Sequence, residues 1–216
     1  MSYAARSLDD LTRGAISAVF HAGASPLGHH WEIIDGNDAV LAASRRVHHG
    51  GKLAQKFWKL STLTGMGVGD NIHIDLIGAD GPLARATSIN DKPAIVTVTD
   101  PAGVRVARSE RRGDTLTVYG PNDERIAEIT CGGEGPWPVR DGDGATLGEL
   151  LAGEPGPSRA VGVSVLVDPQ FALNTAAYAR SMHLGLRRAR RYAYNPATKP
   201  QPLALALLPL LCALTY

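Results

Sequence analysis

The stretch LALALLPLLCALTY, Leu203 to Tyr216, carries no charge and almost no polar atom. Wound as a helix it is apolar on every side, and a helix with no polar face has to be buried all round. At about 1.5 Å per residue it reaches roughly 21 Å, short of the ~30 Å hydrocarbon layer of a bilayer. The stretch is therefore predicted to be a core helix and not a membrane span. Pro202 suits its first turn, and Pro209 should kink or shorten it. Whatever the remaining residues build must enclose this helix.

With 216 residues, 44% of them hydrophobic and 20% charged, the chain can bury one sizeable core, and a single β domain is preferred over two small ones. The formal net charge of +1 gives no general attraction to nucleic acid, which is disfavoured as a partner, but it leaves room for a local basic patch. Cys131 and Cys212 lie far apart in the sequence, so neither a disulfide scaffold nor a cysteine-rich metal site is expected, and a reducing cytoplasm fits. The opening residues lack the basic-then-apolar layout of a secretory signal, consistent with a cytoplasmic place. Ser7 is placed to cap a helix over Leu8 to Phe20, with Asp9 and Asp10 at its positive end and Gly14 weakening it.

Beyond His30 a pattern recurs. DGNDAVLA (Asp35 to Ala42), GADGPLA (Gly78 to Ala84), DPAGVRVA (Asp100 to Ala107), GPNDERIA (Gly120 to Ala127) and DGDGATLG (Asp141 to Gly148) each read as a turn, then an aliphatic residue, then a small one. The aliphatic positions Leu41, Leu83, Val106, Ile126 and Leu147 recur about every 21 residues, with one double gap that implies a unit near Thr62. WEII, IHIDLI, AIVTV and TLTVY stand before these turns and alternate as half-buried strands do, so each unit is predicted to be a β-hairpin. Six such units imply roughly twelve antiparallel strands, VGVSVLV (Val161 to Val167) being the last. A sheet of that length must hide its edges, and closure into a barrel does so. A barrel this wide cannot be filled by its own side chains, so its lumen needs a plug or a ligand. The apolar tail supplies the plug.

Hairpin repeats of this form followed by the LALALLPLLCALTY helix resemble the tubby C-terminal-like barrel, shared by tubby proteins, phospholipid scramblases and LURP-one-related proteins. The resemblance covers about Trp31 to Tyr216 and rests on architecture. It implies residues 1–29 as an N-terminal segment and residues 30–216 as a mainly β, roughly twelve-stranded barrel around the central helix 203–216. Tubby domains bind phosphoinositide headgroups through a basic pocket, and scramblases are described as moving lipids in a calcium-dependent manner. The resemblance thus implies a non-enzymatic module at anionic membrane surfaces, peripheral to the membrane and without a cofactor.

Between Val167 and the tail, Asp168-Pro169 suits a helix start, and a basic helix is predicted over 169–194, with NPATKPQP (Asn195 to Pro202) as a linker. This helix carries Arg180, Arg187, Arg188, Arg190 and Arg191, the candidate binding residues for an anionic headgroup. Guanidinium groups pair bidentately with phosphate oxygens, and basic clusters are drawn to anionic leaflets. The competing reading is a solvated helix end whose arginines offset the dipole.

Other constellations are thinner. His29-His30 and His48-His49 flank the first hairpin and could approach Asp35 or Asp38, yet adjacent strand residues face opposite ways, so no metal site is expected. Asp141-Gly-Asp-Gly144 begins like a calcium loop but has Ala152 where the loop needs glutamate, and a hairpin turn is preferred. Gly65, Gly67 and Gly69 do not spell a dinucleotide fingerprint, and Lys52 to Leu63 reads as a short helix or an irregular hairpin. No nucleophile and base stand in a recognisable order. Two alternatives remain beside the lipid-binding module: a protein-interaction scaffold of the LURP-one-related type, and an enzyme with its site at the barrel mouth.

Overall fold

A computed structural model of the chain describes residues 3–21, 30–47, 72–89, 93–132, 136–153 and 191–215. A 3₁₀ helix (Leu8–Arg13) precedes β1 (Ile16–His21), β2 (His30–Asp35), β3 (Val40–Arg46), β4 (Ile72–Gly78), β5 (Gly81–Ile89) and β6 (Ala94–Thr99). Then follow β7 (Arg105–Arg112), β8 (Thr115–Tyr119), β9 (Arg125–Thr130), β10 (Trp137–Arg140), β11 (Thr146–Gly153), β12 (Arg191–Pro196), α1 (Leu203–Ala206) and α2 (Leu208–Thr215). Each strand pairs antiparallel with its sequence neighbours, and β1 pairs with β12 to close a twelve-stranded barrel.

The sequence repeat has a hydrogen-bond explanation. At Asp35 the backbone N–H donates to the Ala39 carbonyl, and the Asp38 N–H donates back to the Asp35 carbonyl; Asp100, Gly120 and Asp141 head the same pair of bonds. The fourth residue of each turn is left-handed: Asp38 at φ 60°, Gly103 at 86°, Asp123 at 62° and Gly144 at 86°. This is the three-residue hairpin loop with a left-handed residue and an adjoining bulge, which glycine or a short polar side chain accommodates. Asp35, Asp100 and Asp141 reinforce it, each Oδ1 accepting from the N–H four residues on at 2.8–2.9 Å. The register slips just ahead of these turns, at Ile33/Ile34, Val98/Thr99, Val118/Tyr119 and Val139/Arg140. Each bulge adds twist, and repeated twist curls a sheet toward closure. Asp141 to Gly144 is thus a turn of the hairpin kind, its first carboxylate turned onto its own backbone.

The tail fills the lumen. Every residue from Ala204 to Leu214 is buried, and the helices touch β1 and β12 on one side and β6 and β7 on the other, strands that lie across the barrel from one another. The helix breaks at Leu207, because Pro209 has no N–H to give to the preceding turn. Small wall residues such as Ala18, Ala42, Ala86, Ala107 and Ala127 make room for its leucines. The first turn is moored where Gln201 Nε2 donates to the Gly14 carbonyl at 2.8 Å, and the last where Ser88 Oγ donates to the Leu214 carbonyl at 3.0 Å. The bond to the Leu214 carbonyl satisfies an acceptor that the helix cannot satisfy itself. Among the described residues no helix is long and apolar enough to cross a membrane.

Three expectations change. The helix predicted over Leu8 to Phe20 ends at Arg13, and ISAVFH becomes β1, since Gly14 breaks the turn and the β-branched alternation favours a strand with partners on both sides. The segment expected ahead of the barrel therefore supplies a wall strand, while its 3₁₀ helix packs against α1 with Leu11 fully buried. There the N–H groups of Arg6 and Ser7 hold the Asp10 carboxyl below its ordinary value. The end of the basic helix, Arg191 to Tyr194, is strand β12, where Tyr192 and Tyr194 alternate inward. The unit near Thr62, the Gly65–Gly69 loop, Lys52 to Leu63 and the strand VGVSVLV lie outside the described residues; the wall closes by direct β3–β4 and β11–β12 pairing.

Gly148 shows how tightly the seam is drawn. Its φ is +156°, and a Cβ there would stand 2.4 Å from the Asn195 carbonyl oxygen and 2.8 Å from Tyr194 Cε2. Gly148→Ala is expected to cost about 2–4 kcal/mol, because backbone on one side and a buried ring on the other cannot yield cheaply. The midpoint of chemical denaturation measures this, and an unchanged midpoint would mean that the β11–β12 seam relaxes freely.

Candidate functional site

Because the helix occupies the lumen, a ligand site has to be sought on the outer wall or at the barrel ends. Among the described residues, one outer concavity lies on the seam where β12 joins β11 and β1. Inward placement of Tyr192 and Tyr194 turns Arg191, Ala193 and Asn195 outward. Tyr192 stacks at a tilt on Trp31, ring centroids 6.3 Å apart. The Tyr194 hydroxyl donates to the Leu147 carbonyl at 3.0 Å, and burial pushes its ionisation up to about 12. These two anchored rings fix the strand that presents Arg191.

Outside, the small residues Ala193, Ser17, Ala15 and Gly153 line a shallow groove of about 350 Å³ together with Leu151 and Arg191. Arg191 Nη2 donates to Ser17 Oγ at 3.2 Å across the β1–β12 pair. The same nitrogen stands 3.8 Å from Asp38 Oδ1 in the first hairpin turn. The guanidinium is about one-third exposed and Asp38 about two-thirds. A partly sheltered cation is thus held in a fixed orientation, opposed by one exposed carboxylate that a stronger anion can outcompete. Leu151, one of the few exposed large apolar side chains among the described residues, adds to the apolar lining.

Of the five arginines put forward from the sequence, Arg191 belongs to this groove, while Arg180, Arg187, Arg188 and Arg190 lie outside the described residues. No protein-family model, curated protein or solved structure matches this chain. The architecture is a closed twelve-stranded antiparallel barrel with a short C-terminal helix.

The histidine doublets are only partly described. His30 is buried, its Nε2 3.5 Å from Glu32 Oε1, whereas His29, His48 and His49 lie outside the described residues. Among the described residues no three histidine, cysteine or acidic side chains converge. Elsewhere on the wall, arginines are neutralised by carboxylates. Asp75 bridges Arg85 at 2.8 Å and Arg45 at 3.6 Å, and the hydrogen bond to Asp75 raises the Arg85 ionisation. Glu110, lowered first by the hydrogen bond from Arg112, also meets Arg108, which lies 4.1 Å over the Tyr119 ring and pairs with Asp123. The Asp75 ladder ties β3, β4 and β5 together, whereas Arg108, Glu110 and Arg112 pair along β7 itself.

Sequence reasoning missed Ser17 and Asp38 as partners of Arg191, and the small residues that line the groove with it. The signal was present in RYAYNP. Bulky Tyr192 and Tyr194 around small Ala193 is a period of two, which marks a strand with one packed face and one open face.

Proposed function

We propose that this barrel is a non-enzymatic binding module for anionic phospholipid surfaces, of the tubby-like kind that its repeats and plug resemble. The observation carrying this reading is the Arg191 guanidinium, held by Ser17 in an open groove that the exposed Leu151 also lines. Phosphate oxygens suit a guanidinium fork, and an exposed apolar side chain suits the boundary between headgroup and acyl chain. The filled lumen favours an outer-surface ligand, since it leaves little room for a substrate inside the barrel. The basic residues Arg187, Arg188 and Arg190 immediately precede β12 in the chain, which adds local positive charge at the same strand.

Sedimentation with neutral and with phosphatidylserine-containing vesicles tests the reading. Binding should require the anionic lipid and weaken as salt rises. Arg191→Gln should lower affinity roughly fivefold, on the scale of about 1 kcal/mol per basic residue near such a surface, and replacing Arg187, Arg188, Arg190 and Arg191 together should abolish binding. Asp38→Asn removes the competing carboxylate and should strengthen binding about two- to threefold, asparagine being tolerated in the left-handed turn. Equal binding to neutral and anionic vesicles, or none at low salt, would overturn the proposal.

A further inference from the structure

We infer that the groove on the β11–β12–β1 seam is a discrete seat for one glycerophosphate ester, kept open for that ligand by Gly153 and Ala193. This rests on the anion-binding role proposed for Arg191 and goes further, because a charged surface attracts any anion whereas a seat selects by shape as well. Strand register places the parts. Ala193 pairs with Leu151 of β11 on one side and with Ser17 of β1 on the other, while Arg191 pairs with Gly153. Directly paired residues share a face of the sheet, so Leu151, Ala193 and Ser17 form one outward row. Arg191 stands in the next outward row, about 7 Å along β12, beside a position without a side chain. A Cβ added at Gly153 or at Gly36, both lining the groove, would meet nothing within 4 Å. The space over these two glycines is open.

Ser17 joins the guanidinium as a donor. It is 5% exposed, lines the groove and accepts from Arg191 Nη2 at 3.2 Å, while its own hydroxyl proton meets no acceptor among the described residues. A phosphate oxygen set against this pair takes the hydroxyl proton and faces the guanidinium, so one anion satisfies both. Inorganic phosphate alone would leave the rest of the groove empty. Ala15, Leu151 and Ala193 make that remainder apolar, and a carbon stem lying over Ala193 meets Leu151 about 5 Å away, one strand spacing. A volume of about 350 Å³ stands at the small end of the roughly 300–1,000 Å³ that small-molecule sites occupy. It suits a phosphate on a short carbon stem, the unit common to phospholipids and to their deacylated products. Gly153 and Ala193 set the selection, since a branched side chain at either would fill the space that the stem takes.

The test is titration calorimetry of the full-length protein with monomeric dihexanoyl-phosphatidylserine, glycerophosphoserine and inorganic phosphate, beside sedimentation with phosphatidylserine vesicles. The better of the two esters should bind at least about tenfold more tightly than inorganic phosphate. Preference for the acylated ester assigns the ligand to a membrane, and equal or better binding of the deacylated one assigns it to a free ester; both results support the seat. Gly153→Val changes no charge and suits a strand, so it should melt close to the wild type yet bind that ester at least about tenfold more weakly. Ala193→Val repeats the measurement from the neighbouring strand if the first variant folds poorly. A folded variant that binds like the wild type, or inorganic phosphate binding as tightly as the esters, would overturn the inference. Vesicle binding with no binding of either ester would overturn it too and leave the membrane-surface reading standing, whereas a wild type that binds no probe ends both.

Discussion

Leu207→Asp is expected to abolish folding. Leu207 is 1% exposed in the middle of the plug, at the break between α1 and α2, where its carbonyl accepts from the Leu211 N–H at 2.9 Å. The substitution removes a leucine side chain from a packed core, a loss of about 2–5 kcal/mol, and puts a carboxyl group among apolar neighbours. The carboxyl must then either stay charged without solvent or bind a proton at neutral pH, and each option costs further. Together these losses rival the whole stability of an ordinary domain, roughly 5–15 kcal/mol. Soluble yield and thermal melting are the readouts. Leu207→Met, which keeps volume and polarity, should cost less than about 1.5 kcal/mol and remain folded. A soluble aspartate variant with unchanged melting would remove Leu207 from the core.

Ending the chain after Thr198 is expected to have an effect at least as large. The fragment loses Leu205, Leu207, Leu208, Leu210, Leu211 and Leu214, all buried. Each contributes about 1.5–3 kcal/mol when buried, and their partners on the inner wall lose their contacts as well. Gln201, which holds the first turn to Gly14, goes with them. Twelve strands without a plug enclose a space too wide for their own side chains to close. The fragment should aggregate or bind a hydrophobic dye, and size-exclusion chromatography with dye fluorescence decides the matter. A monomeric, dye-free fragment with the native β signal would show that another segment fills the lumen.

The hairpins were readable because their information is local. Asp35, Asp100 and Asp141 each specify a turn through their own carboxylate and a left-handed residue three positions later, so composition and spacing alone revealed them. The plug was readable because a helix with no polar face and too short to span a bilayer has to be buried on every side. β1 and β12 were not, and the reason is their partnership. Ile16 pairs with Tyr194 and Val19 with Arg191, contacts between nearly opposite ends of the chain that no sequence window contains. Without that pairing, Ser7 and two aspartates ahead of an apolar run look like a helix start, and a run of arginines looks like a helix end. The candidate site inherits the same difficulty. Arg191 was identifiable as a cation, but Ser17 and Asp38 become its partners only when the barrel closes.

That closure sets the order in which the protein can be completed. On the ribosome, β1 emerges near the start and waits for β12, its partner, while β2 to β11 are made between them. The helix that the wall must surround comes later still. Until it arrives the nascent sheet has an uncovered apolar face and two open edges, the features that invite mispairing between chains. Closure first would shut the helix out, so wall and helix have to consolidate together, after the last leucines have cleared the exit tunnel. The barrel is in this sense completed only once α2 has been made, its slow step being the wrapping of a nearly finished sheet around that helix.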